Sequence, residues 1–175
     1  QKLRVTYSCN GRTDRIDKEI LELLKKSGCV FIGFGIESGS QEVIDKILKK
    51  GINLKRSKEV IVETEKQGIG TGAWFMIGIP GENEDQVRQT INFSQQLPAS
   101  IIEINIATPW PDTGFYNISK KNGWLVSENF SEMNEKKSAF IESKFLSAKR
   151  TEELFKIFQS ELIKKGWKPD KTNTR

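Results

Sequence analysis

The sequence contains no histidine and only two cysteines, Cys9 and Cys29. The first absence removes Ser-His-Asp and Cys-His nucleophile systems and every zinc site that needs an imidazole. The second leaves too few thiolates for a four-ligand zinc site or an iron–sulfur cluster. A disulfide framework does not suit a chain of 175 residues, so both cysteines read as small buried hydrophobes. Long apolar runs are missing too: the longest, Thr71 to Pro80, has ten residues, far short of a bilayer span. No basic-then-apolar leader opens the chain, and a cytoplasmic protein with no membrane partner is expected. Net charge is only +5, and Lys164, Lys165, Lys168, Lys171 and Arg175, set against Asp170, account for +4 of it. The body is nearly balanced, which argues against a nucleic-acid groove.

What is present is an alternation of apolar runs with helical periodicity. Leu3 to Cys9 reads as a strand ended by an Asn10-Gly11 turn, and a helix follows from Asp14 to Lys26 with Asp14 or Asp17 as its cap. Cys29 to Ile36 is a continuous apolar run, as in a strand covered on both faces. Helices are expected from Ser40 to Leu48, Ser57 to Gln67 and Asn83 to Leu97, with strands at Thr71 to Ile79 and Ile101 to Ala107. Each interval between strands contains a helix, as parallel pairing requires. The fold class is therefore α/β with a parallel sheet; periodicity does not say whether that sheet is open or curled. The pattern loosens near Ile118, which sets expected units of 1–118 and 119–175, the second being a long loop and a helix capped by Ser147 or Thr151.

Ligands in parallel α/β folds bind at the carboxyl ends of the strands. Glu37 stands at such a tip, and Ser38-Gly39-Ser40 leads straight into a helix whose free N–H groups suit an anion. Together they suit a zwitterion; a strand-to-helix turn capped by Glu37 or Ser40 explains them equally. Arg12, beyond the first strand, can grip a carboxylate or pair with Asp14 or Glu37. Gly78-Ile79-Pro80-Gly81 offers exposed backbone amides beside apolar walls from Met76 and Ile79, or simply a glycine-rich turn. Lys49-Lys50 matches a helix C-terminus or reaches a ligand. Of the four tryptophans, Trp110 alone reads as a pocket residue.

These segments in order resemble the radical S-adenosylmethionine (SAM) superfamily, closest to the branch whose members often carry an upstream cobalamin-binding domain. The matching text is Arg12-Thr-Asp14, Gly35-Ile-Glu-Ser-Gly-Ser-Gln-Glu-Val43, Lys50-Gly51, Phe75-Met-Ile-Gly-Ile-Pro-Gly-Glu82 and Thr108-Pro-Trp-Pro-Asp-Thr113. It covers roughly residues 3 to 118. The resemblance implies the latter half of a partial TIM-like barrel, about four βα units, with a C-terminal helical extension. It places Glu37 and Ser38 at the methionine and ribose end of SAM, with Arg12 and Lys49 or Lys50 near its polar groups. Met76, Gly78, Ile79 and Pro80 would flank the adenine, and Thr108 and Pro109 would close the last strand tip. Asp112 stands where the family usually has glycine, which bears on contacts from Trp110 to Thr113.

The family's C-x-x-x-C-x-x-C loop, which holds a four-iron cluster for cleaving SAM to a 5′-deoxyadenosyl radical, has no counterpart in this sequence. The resemblance thus implies an enzyme part, inactive alone, whose cofactors are SAM, a 4Fe-4S cluster ligated elsewhere and, in some relatives, cobalamin. Its expected partners are the missing half of the barrel or a second copy at the exposed sheet edge. The substrate is not specified. The competing reading is a non-catalytic α/β binding or assembly module descended from such a barrel. An aldolase-like barrel is a third reading, for which no lysine lies convincingly within a buried strand.

Overall fold

The computed structural model describes residues 5–129, 131 and 133–167. Four strands run parallel in the order of the sequence: β1 (Tyr7–Gly11), β2 (Cys29–Glu37), β3 (Gly70–Ile77) and β4 (Ile101–Ile106). The helices are α1 (Lys18–Ser27), α2 (Leu54–Lys66), α3 (Glu84–Gln95), α4 (Gly114–Lys121) and α5 (Ala148–Lys164). A strand order that never reverses is that of barrel staves; a doubly wound sheet reverses at its switch point.

One set of alternate residues from each strand builds the core. Ile32, Phe34 and Ile36, then Ala73, Phe75 and Ile77, then Ile102, Ile104 and Ile106 join Leu21, Val60, Ile61, Val87, Leu154 and Phe158 from the helices in a single apolar cluster. All the crossovers therefore lie on one face, as successive right-handed connections require. Burying a side chain of this size contributes about 2 kcal/mol, so this layer is the main source of stability. The opposite face carries Asn10, Phe31, Gly33, Gly35, Gly72, Trp74, Met76, Glu103 and Asn105. At the amino ends of β3 and β4 one oxygen of Glu65 accepts from the backbone N–H and hydroxyl of both Thr71 and Ser100, at 2.6–3.0 Å. Burial works to raise the Glu65 pKa, and the bonds from Ser100 and Thr71 outweigh it, leaving it lowered.

Several expectations are corrected. Asn10 and Gly11 do not turn: they are the last two residues of β1. Leu3 and Arg4, expected to open that strand, lie outside the described residues. The first helix begins at Lys18, with Asp17 capping it through the N–H of Ile20; Thr13–Arg15 before it is a separate 3-10 turn. The stretch after Ser40 is mostly a π-helical turn, Val43–Ile47. α2 starts three residues before Ser57, capped by Asn53, because the Ser57 hydroxyl is engaged inside by Thr13 at 2.7 Å. α4, not anticipated, spans position 118. Ser147 caps α5. Cys29 is buried, but Cys9 is only half-buried.

Candidate functional site

Glu37 stands at the carboxyl tip of β2. It ends β2 at a register shift against β3 and holds a left-handed backbone, φ +71°, which a non-glycine residue adopts at a cost of about 1 kcal/mol or more. Its carboxylate binds the Lys50 ammonium at 2.5 Å, and that ammonium also donates to the Gly35 carbonyl at 2.7 Å. Both side chains are about one-fifth exposed, so the pair is poorly screened. Gly35 makes this possible: a Cβ there would lie 2.6 Å from the Glu37 oxygen and 3.0 Å from Lys50 Nζ. Arg12 steadies the far side by donating to the Lys50 carbonyl at 2.7 Å while gripping Asp14 through two nitrogens. The Arg12 guanidinium pulls the Asp14 carboxyl below its ordinary pKa. Lys49, left-handed and exposed, takes no part in this chain of contacts.

Ser38 is differently placed. It is fully buried, facing the Thr90 hydroxyl of α3 at 3.1 Å and accepting the Ser40 N–H. The Gly39 N–H goes to Thr90 as well. The expected anion site at Ser38–Ser40 is therefore corrected: hydroxyls already take two of its amides. Gly39 is required instead for packing, since a Cβ would lie 2.6 Å from the Cα of Thr90.

The Gly78–Glu82 turn likewise turns its amides inward. Gly78 and Ile79 donate to one Glu82 oxygen at 2.8 and 3.2 Å. Gly78, at φ +73°, sits where a Cβ would meet Thr151 Cγ2 of α5 at 2.6 Å. The expectation of amides open to a flat ligand is corrected for these two: a buried carboxylate holds them. The apolar side chains of this segment enter a small buried cluster. Ile79 joins Val43, Ala107 and Ile141, and half-buried Met76 packs against them with Phe115 and Trp124. Pro80 and Pro109 are buried, and the Thr108 hydroxyl donates to the Ile106 carbonyl. Trp110 is 44% exposed. Its place as the aromatic of the strand face is taken by Trp74, unnoticed because it sits within an apolar run. Ile141 and Trp124, from beyond residue 118, are also additions to the expected set.

The Glu37 carboxylate and the Gly35 carbonyl already receive one ammonium, that of Lys50, so the chemistry of this donor set suits the ammonium and carboxylate of a zwitterion. It does not fit an iron–sulfur cluster: Cys9 and Cys29, with sulfurs 3.9 Å apart, line the helix-covered layer. Among the described residues no three cysteine, histidine or acidic groups gather to hold a metal.

Four parallel strands in sequence order with their crossovers on one face are the architecture of part of a β/α barrel. The Radical SAM superfamily profile matches residues 1–94, and the chain belongs to that superfamily. The uncharacterized methyltransferase PH0819 of Pyrococcus horikoshii is 28% identical over 128 residues, 73% of this chain and 28% of that protein. Among solved structures, Escherichia coli coproporphyrinogen III oxidase (HemN), a radical SAM enzyme, superimposes with a TM-score of 0.68 at 11% identity, covering 94% of this chain and 33% of that one. The radical SAM methyltransferase TsrM of Kitasatospora setae, solved with cobalamin and a [4Fe-4S] cluster, gives a TM-score of 0.55 at 20% identity over 66% of this chain and 22% of its own. These structures share the fold. The chain spans about a quarter of the length of the curated relative. Among the described residues no helix is long and apolar enough to cross a membrane.

Proposed function

We propose that this chain is the SAM-holding latter half of a radical SAM enzyme, acting with a segment that supplies the cluster. When bound there, SAM and a four-iron cluster supply reductive sulfonium cleavage and radical chemistry on a substrate. The residues of this chain hold and orient. Glu37 and the Gly35 carbonyl, which now receive the Lys50 ammonium, are the acceptors for the ligand's ammonium. Lys50, tethered at its carbonyl by Arg12, is the cation for its carboxylate. Met76 and Ile79 keep water from the base. Likeness to the methyltransferases PH0819 and TsrM favours methyl transfer, and TsrM's cobalamin makes that cofactor a candidate for the whole protein. The free edge of β1 is where the strands of the other half pair.

The Glu37–Lys50 pair above Gly35 carries this reading. The test is anaerobic assembly of the polypeptide holding this chain and its cluster-binding segment. With dithionite and SAM it releases 5′-deoxyadenosine, and E37Q or K50M cuts the rate at least tenfold, as expected for loss of a charge-assisted bond of about 1.5–3 kcal/mol. The 175-residue chain alone, given iron and sulfide, takes up no four-iron chromophore. A stoichiometric cluster on it, or unchanged rates in both variants, overturns the reading.

A further inference from the structure

The face of the sheet opposite the main core carries a built aromatic seat. The Trp74 indole lies over two glycines: a Cβ at Gly33 would fall 2.8 Å from Trp74 Nε1, and one at Gly72 would fall 2.4 Å from Cη2. Glycine weakens a strand interior and persists where something must approach the backbone closely. Here the indole does so from two neighbouring strands at once. Phe31 leans on the ring, centroids 6.5 Å apart and planes inclined by 36°. Asn10 Oδ1 would lie 2.5 Å from the same Gly33 Cβ, at the border of the seat. The Glu103–Lys136 ion pair, at 2.6 Å, bounds the other side with its charges satisfied.

Trp74 stays half-buried, and its N–H donates to no described residue, although buried indoles usually find an acceptor. Its level in the sheet is set by register: the ring lies over the paired Gly33 and Gly72, two residues before Gly35, which underlies the Glu37–Lys50 pair. That puts the seat about 7 Å below that pair. A molecule on it would lie directly under the proposed SAM site.

We propose that Trp74, seated on Gly33 and Gly72 between Phe31 and Asn10, is the stacking platform for the substrate, a flat heteroaromatic ring with an acceptor for the indole N–H. This rests on the reading of the SAM site given above. Stacking supplies affinity, the N–H sets the ring's orientation, and the glycine floor fixes its height.

The probe is quinoline, a flat bicycle with one ring acceptor, titrated into the ¹⁵N-labelled 175-residue chain. The four tryptophans give four indole N–H signals, and W74F identifies one of them. Quinoline should move the Trp74 signal saturably and further than those of Trp110, Trp124 and Trp167. W74A should weaken binding about tenfold and W74F much less, in line with stacking on an aromatic platform. If W74A does not fold, F31L replaces it, with at least a threefold loss expected. A Trp74 signal that does not move, unchanged affinity in these variants, or competition by S-adenosylhomocysteine overturns the platform. S-adenosylhomocysteine binding without quinoline binding leaves the SAM site intact and removes only the platform; the reverse pattern removes the SAM site.

Discussion

Glu82 is sealed inside its own turn, one carboxyl oxygen taking two backbone N–H groups and the other, buried, taking none. Burial pushes its pKa up to about 8 against the pull of the Ile79 and Gly78 amides. The folded chain therefore keeps a proton that the unfolded chain gives up near pH 4.5. Stability from this group is complete below that pH and is lost as pH rises through about 8, at up to roughly 1.4 kcal/mol per pH unit. Scanning calorimetry should show the melting temperature falling between pH 6 and 8, and E82Q should flatten the fall while its amide NH₂ occupies the orphaned position. Glu37 invites the opposite experiment. Replacing it with glycine relieves the left-handed backbone but removes the Lys50 pair, so E37G should stay within about 1 kcal/mol of the parent in denaturant melts. Its binding of S-adenosylhomocysteine should nonetheless fall more than tenfold.

Among the elements, the β3–α3 turn is locked from two directions. G78A combines an unfavourable positive φ with a 2.6 Å approach to Thr151 Cγ2, and should cost about 2 kcal/mol in urea unfolding. T151S removes that methyl, so the double variant should regain the steric part and not the backbone part. At the start of α3, Asn83 and Gln86 form a reciprocal capping box, and N83A should cost about 1 kcal/mol. The strands were legible because β2 and β3 are nearly unbroken apolar runs and β4 alternates isoleucine with polar residues, and Asp17, Asn83 and Ser147 announced their helices. Ser57 misled because its hydroxyl serves a tertiary contact with Thr13, which no local pattern encodes. Glu37 at a strand tip was legible by position, the choice between Lys49 and Lys50 as its neighbour was not, and neither was the direction of an amide: Ser38–Ser40 and Gly78–Ile79 face inward because Thr90 and Glu82 draw them there. Trp74 left one unread signal, the glycines at 33, 35 and 72 inside otherwise bulky strands.

At the scale of the whole molecule, helices cover one face of the sheet, and among the described residues no strand pairs with the outer edge of β1. Exposed Val5, 60% accessible, lies just before that edge. The 175-residue chain should therefore scatter light with a mass above 19.9 kDa that rises with concentration. V5K should lower that mass, and a concentration-independent monomer would remove the case for an adhesive edge. The Glu65 clasp on Thr71 and Ser100 belongs to the same picture, at the end of the sheet remote from Glu37. By pinning two staves at their feet it makes their spacing independent of whatever the rim later comes to hold. Residues of the rim are thereby free to be exchanged in search of new substrates, while drift at this one foundation carboxylate would splay the two staves it pins.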